Sequence, residues 1–181
     1  MKKIFVLISL LLLPITGLQA QMLAFNIEAP PELTVTVMSD GVLDFGSLLQ
    51  NQGNTQIQLE DAQTEIISIE GAHNRDLRVT IYPPAALQLD ANNDLPYTLG
   101  AAYANEGKDN KNQATEFSGN TATFPVYQSE GGGPPPWAGG GKKGGGTPTA
   151  NAYLYIYGDI TVGQVRAGTY AGTINISVEY D

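Results

Sequence analysis

The chain carries few residues able to do covalent chemistry. His73 is its only histidine and lies in "GAHNRD", a polar turn. A Ser-His-Asp arrangement would need that histidine, yet no serine stands in a nucleophile-elbow context. Carboxylate pairs such as Asp90 and Asp94 could do glycosidase work, but nothing in their spacing separates them from the other acidic residues. The same stretch, "DANND", sets oxygen-bearing side chains at alternate positions, Asp90, Asn92 and Asp94. Hard Ca²⁺ takes oxygen ligands from such a tight turn. The glycine and glutamate that complete an EF-hand loop are missing, and Asn and Asp are ordinary turn formers. A plain turn is therefore the first reading and calcium the lesser one. The absence of cysteine removes thiol catalysis and Cys-ligated zinc. The expectation is a protein that is not an enzyme, with no cofactor and no metal.

Aromatic residues offer binding chemistry instead. "AYLYIY" puts Tyr153, Tyr155 and Tyr157 on one face of a strand, with Ala152, Leu154 and Ile156 on the other. An exposed tyrosine row could stack sugars, but a strand apolar on both faces is more often buried on each side. Core or subunit contact is the expectation. Trp137, the only tryptophan, lies beside Pro134, Pro135 and Pro136 and ahead of Lys142 and Lys143. It is a possible loop contact point, of the kind enriched at interfaces, or part of a loop without a partner.

The elements that must position these residues are strands. Residues 1–20 read as a secretory signal peptide: Lys2 and Lys3, the apolar run "IFVLISLLLL", then Pro14, Gly17 and Ala20. The run is shorter than the ~20 apolar residues of a membrane span. Cleavage after Ala20 is expected, with no membrane span afterwards. Loss of the two lysines takes the net charge from −9 to −11, which argues against nucleic acid, whose phosphates demand a basic surface. Leu33, Val35 and Val37 alternate with Glu32, Thr34 and Thr36, and Leu77, Val79 and Ile81 alternate with Arg78, Thr80 and Tyr82. "TEIISIE", "TATFPVY" and "AYLYIYGDITV" are further strands, and "AALQL" and "LPYTLGAAYA" weaker ones. Residues 104–120 read as a long surface loop and residues 129–150 as a Gly/Pro-rich insertion within one domain. Many short strands between Gly, Pro, Asn and Asp turns indicate an all-β sandwich or barrel.

The last strand is the most regular. In "GTYAGTINISVEYD", Tyr170, Gly172, Ile174, Ile176, Val178 and Tyr180 share one face. Gly168 ahead of this alternation and Tyr180 one residue before Asp181 together resemble the C-terminal signature of chaperone–usher pilin (fimbrial) subunits. The chain is also similar to a bacterial family of secreted β-domains of unassigned function, in "LDFG" (Leu43 to Gly46) and in the "VG…AGTYAGTI…V.Y" ending. The resemblance implies an immunoglobulin-like antiparallel sandwich lacking its final strand. That strand would come first from a periplasmic chaperone, with an outer-membrane usher as the further partner, and then from the next subunit.

A candidate donor follows the cleavage site. In "QMLAFNIEAPP" (residues 21–31), Leu23, Phe25, Ile27 and Ala29 alternate with Ala24, Asn26 and Glu28, and Pro30 and Pro31 separate the segment from residues 32–181. A detached alternating strand behind a proline hinge suits β-strand addition. The acceptor groove is expected between residues 33–38 (Leu33, Val35, Val37) and residues 170–180 (Tyr170, Ile174, Ile176, Val178, Tyr180). The expectation is a homopolymeric subunit of an extracellular pilus or fimbria that reaches the surface through the periplasm. The rival is a monomeric secreted or surface glycan-binding module, in which residues 22–29 fold back into their own sheet.

Overall fold

The computed structural model describes residues 21–127 and 148–181. The expected signal peptide, Trp137 and residues 128–147 of the Gly/Pro-rich loop lie outside the described residues.

Alternation of apolar and polar side chains gives each strand one inward face, and burying those faces against one another requires two sheets. The strands are β1 (Gln21–Glu28), β2 (Thr34–Val37), β3 (Val42–Asp44), β4 (Gly53–Ile57), β5 (Glu65–Ala72), β6 (Asp76–Tyr82) and β7 (Leu87–Asp90). They continue as β8 (Asn93–Leu95), β9 (Tyr97–Ala104), β10 (Thr115–Glu116), β11 (Thr121–Pro125), β12 (Thr149–Val162) and β13 (Tyr170–Tyr180). One sheet runs β11-β6-β13-β1-β3, with the β7–β8 hairpin attached to β13. The other runs β10-β9-β12-β5-β2, with β4 also on β12. The described residues contain one short 3₁₀ turn (Lys111–Gln113) and no α-helix. The fold is all-β and sandwich-like.

The core lies between the sheets. Leu23, Leu43, Leu77, Val79, Ile174 and Ile176 come from one side, and Ile67, Ile69, Leu154, Ile156 and Ile160 from the other, all buried. β12 reads as a continuous apolar strand because it is central, pairing with β9 along one edge and with β5 and β4 along the other. It begins at Thr149, so the inserted loop ends before residue 149 and not at residue 150. Pro83 and Pro84 end β6, where a ladder donor would be needed.

The chain changes sheet twice near its start. β1 lies in the first sheet, β2 in the second and β3 again in the first. The first crossing is a turn at Pro30 and Pro31 in which Leu33 N–H donates to Pro30 O at 3.0 Å. The second turns at Gly41, whose φ of +73° favours glycine.

Tyr180 ties the sheets together at the far end of β13. Its hydroxyl oxygen accepts a hydrogen bond from Ala72 N–H of β5 at 2.8 Å. The Arg75 guanidinium lies 3.8 Å from its ring centroid, a cation–π contact. Asp181 N–H donates to Asp76 O at 3.0 Å, and Arg78 pairs with Asp181. Tyr180→Phe keeps the Arg75 stacking and removes the acceptor for Ala72 N–H, a loss that costs roughly 1–3 kcal/mol. Chemical denaturation should show that loss together with faster amide exchange at Ala72, and an unchanged midpoint would rule out Tyr180 as a tie.

Candidate functional site

The alternating segment after the expected cleavage site is a strand inside the first sheet. β1 runs parallel to β13, from Gln21 opposite Tyr170 to Glu28 opposite Ser177. Every other strand pair among the described residues is antiparallel. On its other edge β1 pairs with β3 over three positions, Met22 with Asp44, Leu23 with Leu43 and Ala24 with Val42. Beyond Ala24, no described strand pairs with that edge.

Leu23 sets the register. It is fully buried, and its neighbour across β13 is Gly172. A Cβ at position 172 would lie 3.0 Å from Pro84 Cγ, 3.1 Å from Leu23 Cδ2 and 3.2 Å from Leu87 Cδ2. The glycine is thus a socket that three apolar side chains fill. Phe25 and Ile27 are half-buried against the same core, and Ala29 is exposed beyond the end of the strand. On the outward face Asn26 Nδ2 donates to Asn175 Oδ1 at 3.1 Å, an amide rung between β1 and β13. A shallow depression of about 300 Å³ lies over this outward face, lined by Met22, Ala24, Val42, Ala171, Gly172 and Thr173.

The wall opposite β13 is β3, not the segment 33–38. Leu33 is buried and Val35 and Val37 half-buried, but β2 pairs with β5 in the second sheet, Val35 lying opposite Ile69. The reason is the proline turn, which carries the chain across the sandwich before β2 begins. Of the expected β13 residues, Tyr170, Ile174 and Ile176 lie along β1, while Val178 and Tyr180 lie past its end. Tyr170 is buried and donates its hydroxyl to Arg166 O at 2.9 Å, and burial raises its pKa.

Sequence reasoning placed a strand at "VLDFGSLL" and Gly172 on the inward face of the last strand, but assigned neither a part in the slot. A signal for both was present: "LDFG" supplies Leu43 and Asp44 of β3, and "AGTYAGTI" supplies the socket. After β3 the chain leaves through a tight turn in which Gly46 N–H donates to Asp44 Oδ1 at 2.7 Å. Phe45 N–H donates to Gln21 O at 3.1 Å, extending the grip on β1. The turn before β3 is held by Glu65, a buried carboxylate at the start of β5. Glu65 accepts from the Ser39 hydroxyl and from the backbone N–H groups of Gly41 and Val42. Burial nonetheless raises its pKa, with those hydrogen bonds opposing the shift.

The chain matches no family model and no curated protein.

The other candidates resolve into structure. Tyr155 is fully buried on the outer side of the second sheet, with Tyr153 and Tyr157 half-buried beside it. The segment 104–120, expected as a surface loop, brings Asp109, Asn110, Ala114 and Glu116 over this row. Tyr155 Oη donates to Asp109 Oδ1 at 2.8 Å and accepts from Asn110 N–H at 2.9 Å, and Lys111 Nζ donates to Asp61 O at 2.7 Å. Burial, with Glu116 nearby, pushes Tyr157 up to about 12. The Tyr155 ring has no free face to offer a sugar. Asp90 Oδ1 accepts from Asn92 N–H at 2.9 Å and from Asn93 Nδ2 at 2.7 Å, and Arg166 reaches Oδ2 at 3.3 Å. Those bonds close the β7–β8 hairpin and lower the Asp90 pKa. Asp90 and Asn92 thus build the hairpin turn and Asp94 lies in β8 opposite Gln88, and among the described residues no group of three or more His, Cys, Asp or Glu could hold a metal ion. His73 sits in the β5–β6 turn, its N–H donating to Pro148 O at 2.8 Å.

Two outcomes follow from the slot. Gly172→Ala should cost about 1–3 kcal/mol through overpacking, with hydrogen exchange in residues 21–28 rising first. Unchanged stability and unchanged β1 protection in Gly172→Val would refute the socket. A raised folded-state pKa means that the folded protein holds the Glu65 proton more tightly than the unfolded chain. Its contribution to stability is present below the ordinary value of 4.5 and is lost as pH rises through the raised value. In urea titrations across that window, Glu65→Gln should lose stability less steeply with rising pH than the wild type; parallel curves would exclude Glu65 as the source.

Proposed function

We propose that the chain is an exported structural subunit that assembles into an extracellular pilus or fimbria by exchanging its N-terminal strand. The observation that carries this reading is the seat of Gln21–Glu28 between β13 and β3, at the end of a turn containing Pro30 and Pro31. With the signal peptide removed, β1 is a chain end and can leave the slot without threading a loop. Its neighbour in sequence, β2, is fixed in the opposite sheet, so opening the proline turn frees β1 alone. A strand from another copy would then meet the same Gly172 socket and the same walls. This is the logic of domain swapping, in which contacts are kept and only a hinge changes.

The energetics favour a strand that can be traded. Leu23 fully buried contributes ~1.5–3 kcal/mol, and half-buried Phe25 and Ile27 contribute less. Ordering the backbone of the strand costs ~1–2 kcal/mol per residue, so β1 also relies on its ladder with β13. An immunoglobulin-like topology is supported by Tyr170, whose hydroxyl bonds back to the backbone a few residues upstream as in the tyrosine corner of such domains. In this reading a periplasmic chaperone and an outer-membrane usher would hold the slot while β1 is displaced.

A second reading, a monomeric secreted or surface module, is favoured by the occupation of the slot by the chain's own strand. A disulfide lock separates the two. The protein has no cysteine, and Met22 and Ala171 are opposite one another on the outward face, beside the shallow depression. In Met22→Cys/Ala171→Cys, oxidation should keep the protein monomeric by size exclusion and electron microscopy, and reduction should restore polymers. Oxidised protein that forms filaments as fast as the reduced form would sink exchange through β1. Reduced protein that stays monomeric under all conditions would establish the resident-strand module.

A further inference from the structure

We propose that the open edge of β1, at Phe25 to Ile27, is a docking site for an extended, basic segment of a partner protein, which joins the first sheet as a further strand. The inference goes beyond strand exchange, because the edge is the same whether β1 is the chain's own or another copy's.

The edge follows from the backbone. Phe45 N–H donates to Gln21 O, so alternate residues of β1 from Gln21 onward aim their N–H and C=O groups toward β3, and those between them aim toward β13. Leu23 meets Leu43 of β3 in this way. Phe25 and Ile27 aim the same way, but the register with β3 stops at Ala24 opposite Val42. The next partner would be Gly41, whose φ of +73° belongs to the turn that brings the chain in from the second sheet. Among the described residues no strand pairs with β1 here, and no turn hydrogen bond reaches the backbone of Phe25 or Ile27. Natural sheets blunt such an edge with lysine, proline or a bulge. Phe25 to Ile27 carries none of these.

The side chains give the site depth. Phe25 and Ile27 face inward yet are only half-buried, as are Val35 and Val37 of β2, and all four pack on the one core. β2 is the edge of the second sheet and is joined to β1 by the Pro30 and Pro31 turn. The sandwich is thus open along this flank. An added strand would set alternate apolar side chains between the two pairs, with its backbone on the β1 edge, as in β-strand addition.

Charge selects the occupant. From Gln21 to Asn74 the chain has no lysine or arginine. Glu28 at the end of β1, Glu32 in the following turn and Asp40 in the turn before β3 are exposed around the open stretch. Among the described residues none of the three is in an ion pair, while Arg78 and Arg166 are held by Glu179, Asp181 and Asp90. A second copy would bring the same acids against these, and like charges oppose docking. A segment that alternates apolar residues with lysine or arginine meets both the edge and its charge.

The test uses the exported chain and two capped hexapeptides, one alternating valine with lysine and the other valine with glutamate. The lysine peptide should bind roughly tenfold more tightly at low salt, and the difference should narrow as salt is added. Amide exchange should slow at Phe25 and Ile27. Glu28→Lys/Asp40→Lys, altered only at exposed side chains, should fold normally and reverse the preference. Equal binding of both peptides, or protection that arises away from Phe25 and Ile27, would overturn the proposal. Protection that rises with protein concentration in the absence of peptide would also overturn it, by making a second copy the occupant. Oxidised Met22→Cys/Ala171→Cys separates the edge from the exchange slot. With β1 fastened, docking at the edge should persist; its loss would mean that the peptide had displaced β1, which would overturn edge addition and leave strand exchange standing.

Discussion

Leu23 enters the core beside a residue, Gly172, whose missing side chain leaves room for it. That one contact decides where β1 sits, and the position of β1 decides how the first sheet is completed. A side chain at 172 would compete with Pro84, Leu87 and Leu23 for the same volume, and interiors packed at crystal-like density have little room to yield. With Leu23 seated, period-2 alternation places Phe25 and Ile27 inward and Asn26 outward, where it meets Asn175. A slip of one residue would turn Met22 and Ala24 inward and strand Leu23 in water. The parallel pairing therefore needs no turn to fix its register. The socket does so.

How much of this was legible in the sequence depends on how local each feature is. The strand character of β5, β6, β12 and β13 was readable because each buries one or both faces along its whole length, so residue type repeats with the pleat. The same rule marked residues 21–29 as a strand behind a hinge. What could not be read was the partner of each strand. Leu33, Val35 and Val37 have the right alternation to wall a groove, and that alternation fits either sheet equally well. The Pro30 and Pro31 turn sent them across the sandwich. β3 is three residues long, too short to show a period, and "LDFG" carried the information only as a motif.

The tyrosine row shows the same limit from the other side. Tyr153, Tyr155 and Tyr157 point away from the main core, the position from which a sugar platform would act. They are covered because the segment 104–120, largely polar in sequence, supplies hydrogen-bond partners to the Tyr155 hydroxyl while Ala114 packs against the cluster. Asp109 and Asn110 satisfy Tyr155 Oη from both directions. A polar loop can thus be a lid on an aromatic layer, since tyrosine brings its own polar end to the contact. Composition reads such a segment as solvated, and only the long-range pairing shows what lies beneath it.

A strand that fits its own slot is not thereby committed to it. The free energy that holds β1 comes from the socket, the ladder on β13 and three pairs with β3, all of which belong to the slot. None belongs to the turn at Pro30 and Pro31, which contributes connection alone. Connection matters through effective concentration: a short tether holds β1 near its own slot at the level of millimolar free strand, and exchange must overcome that advantage. Two things reduce it. In the proposed assembly, crowding subunits would raise the concentration of foreign strands, and a partner occupying the slot would remove the tethered competitor while it is bound. Under the proposed exchange, a first strand on a proline hinge would let the fold be stable alone and polymeric when assembled, with the choice set by kinetics and not by a new interface.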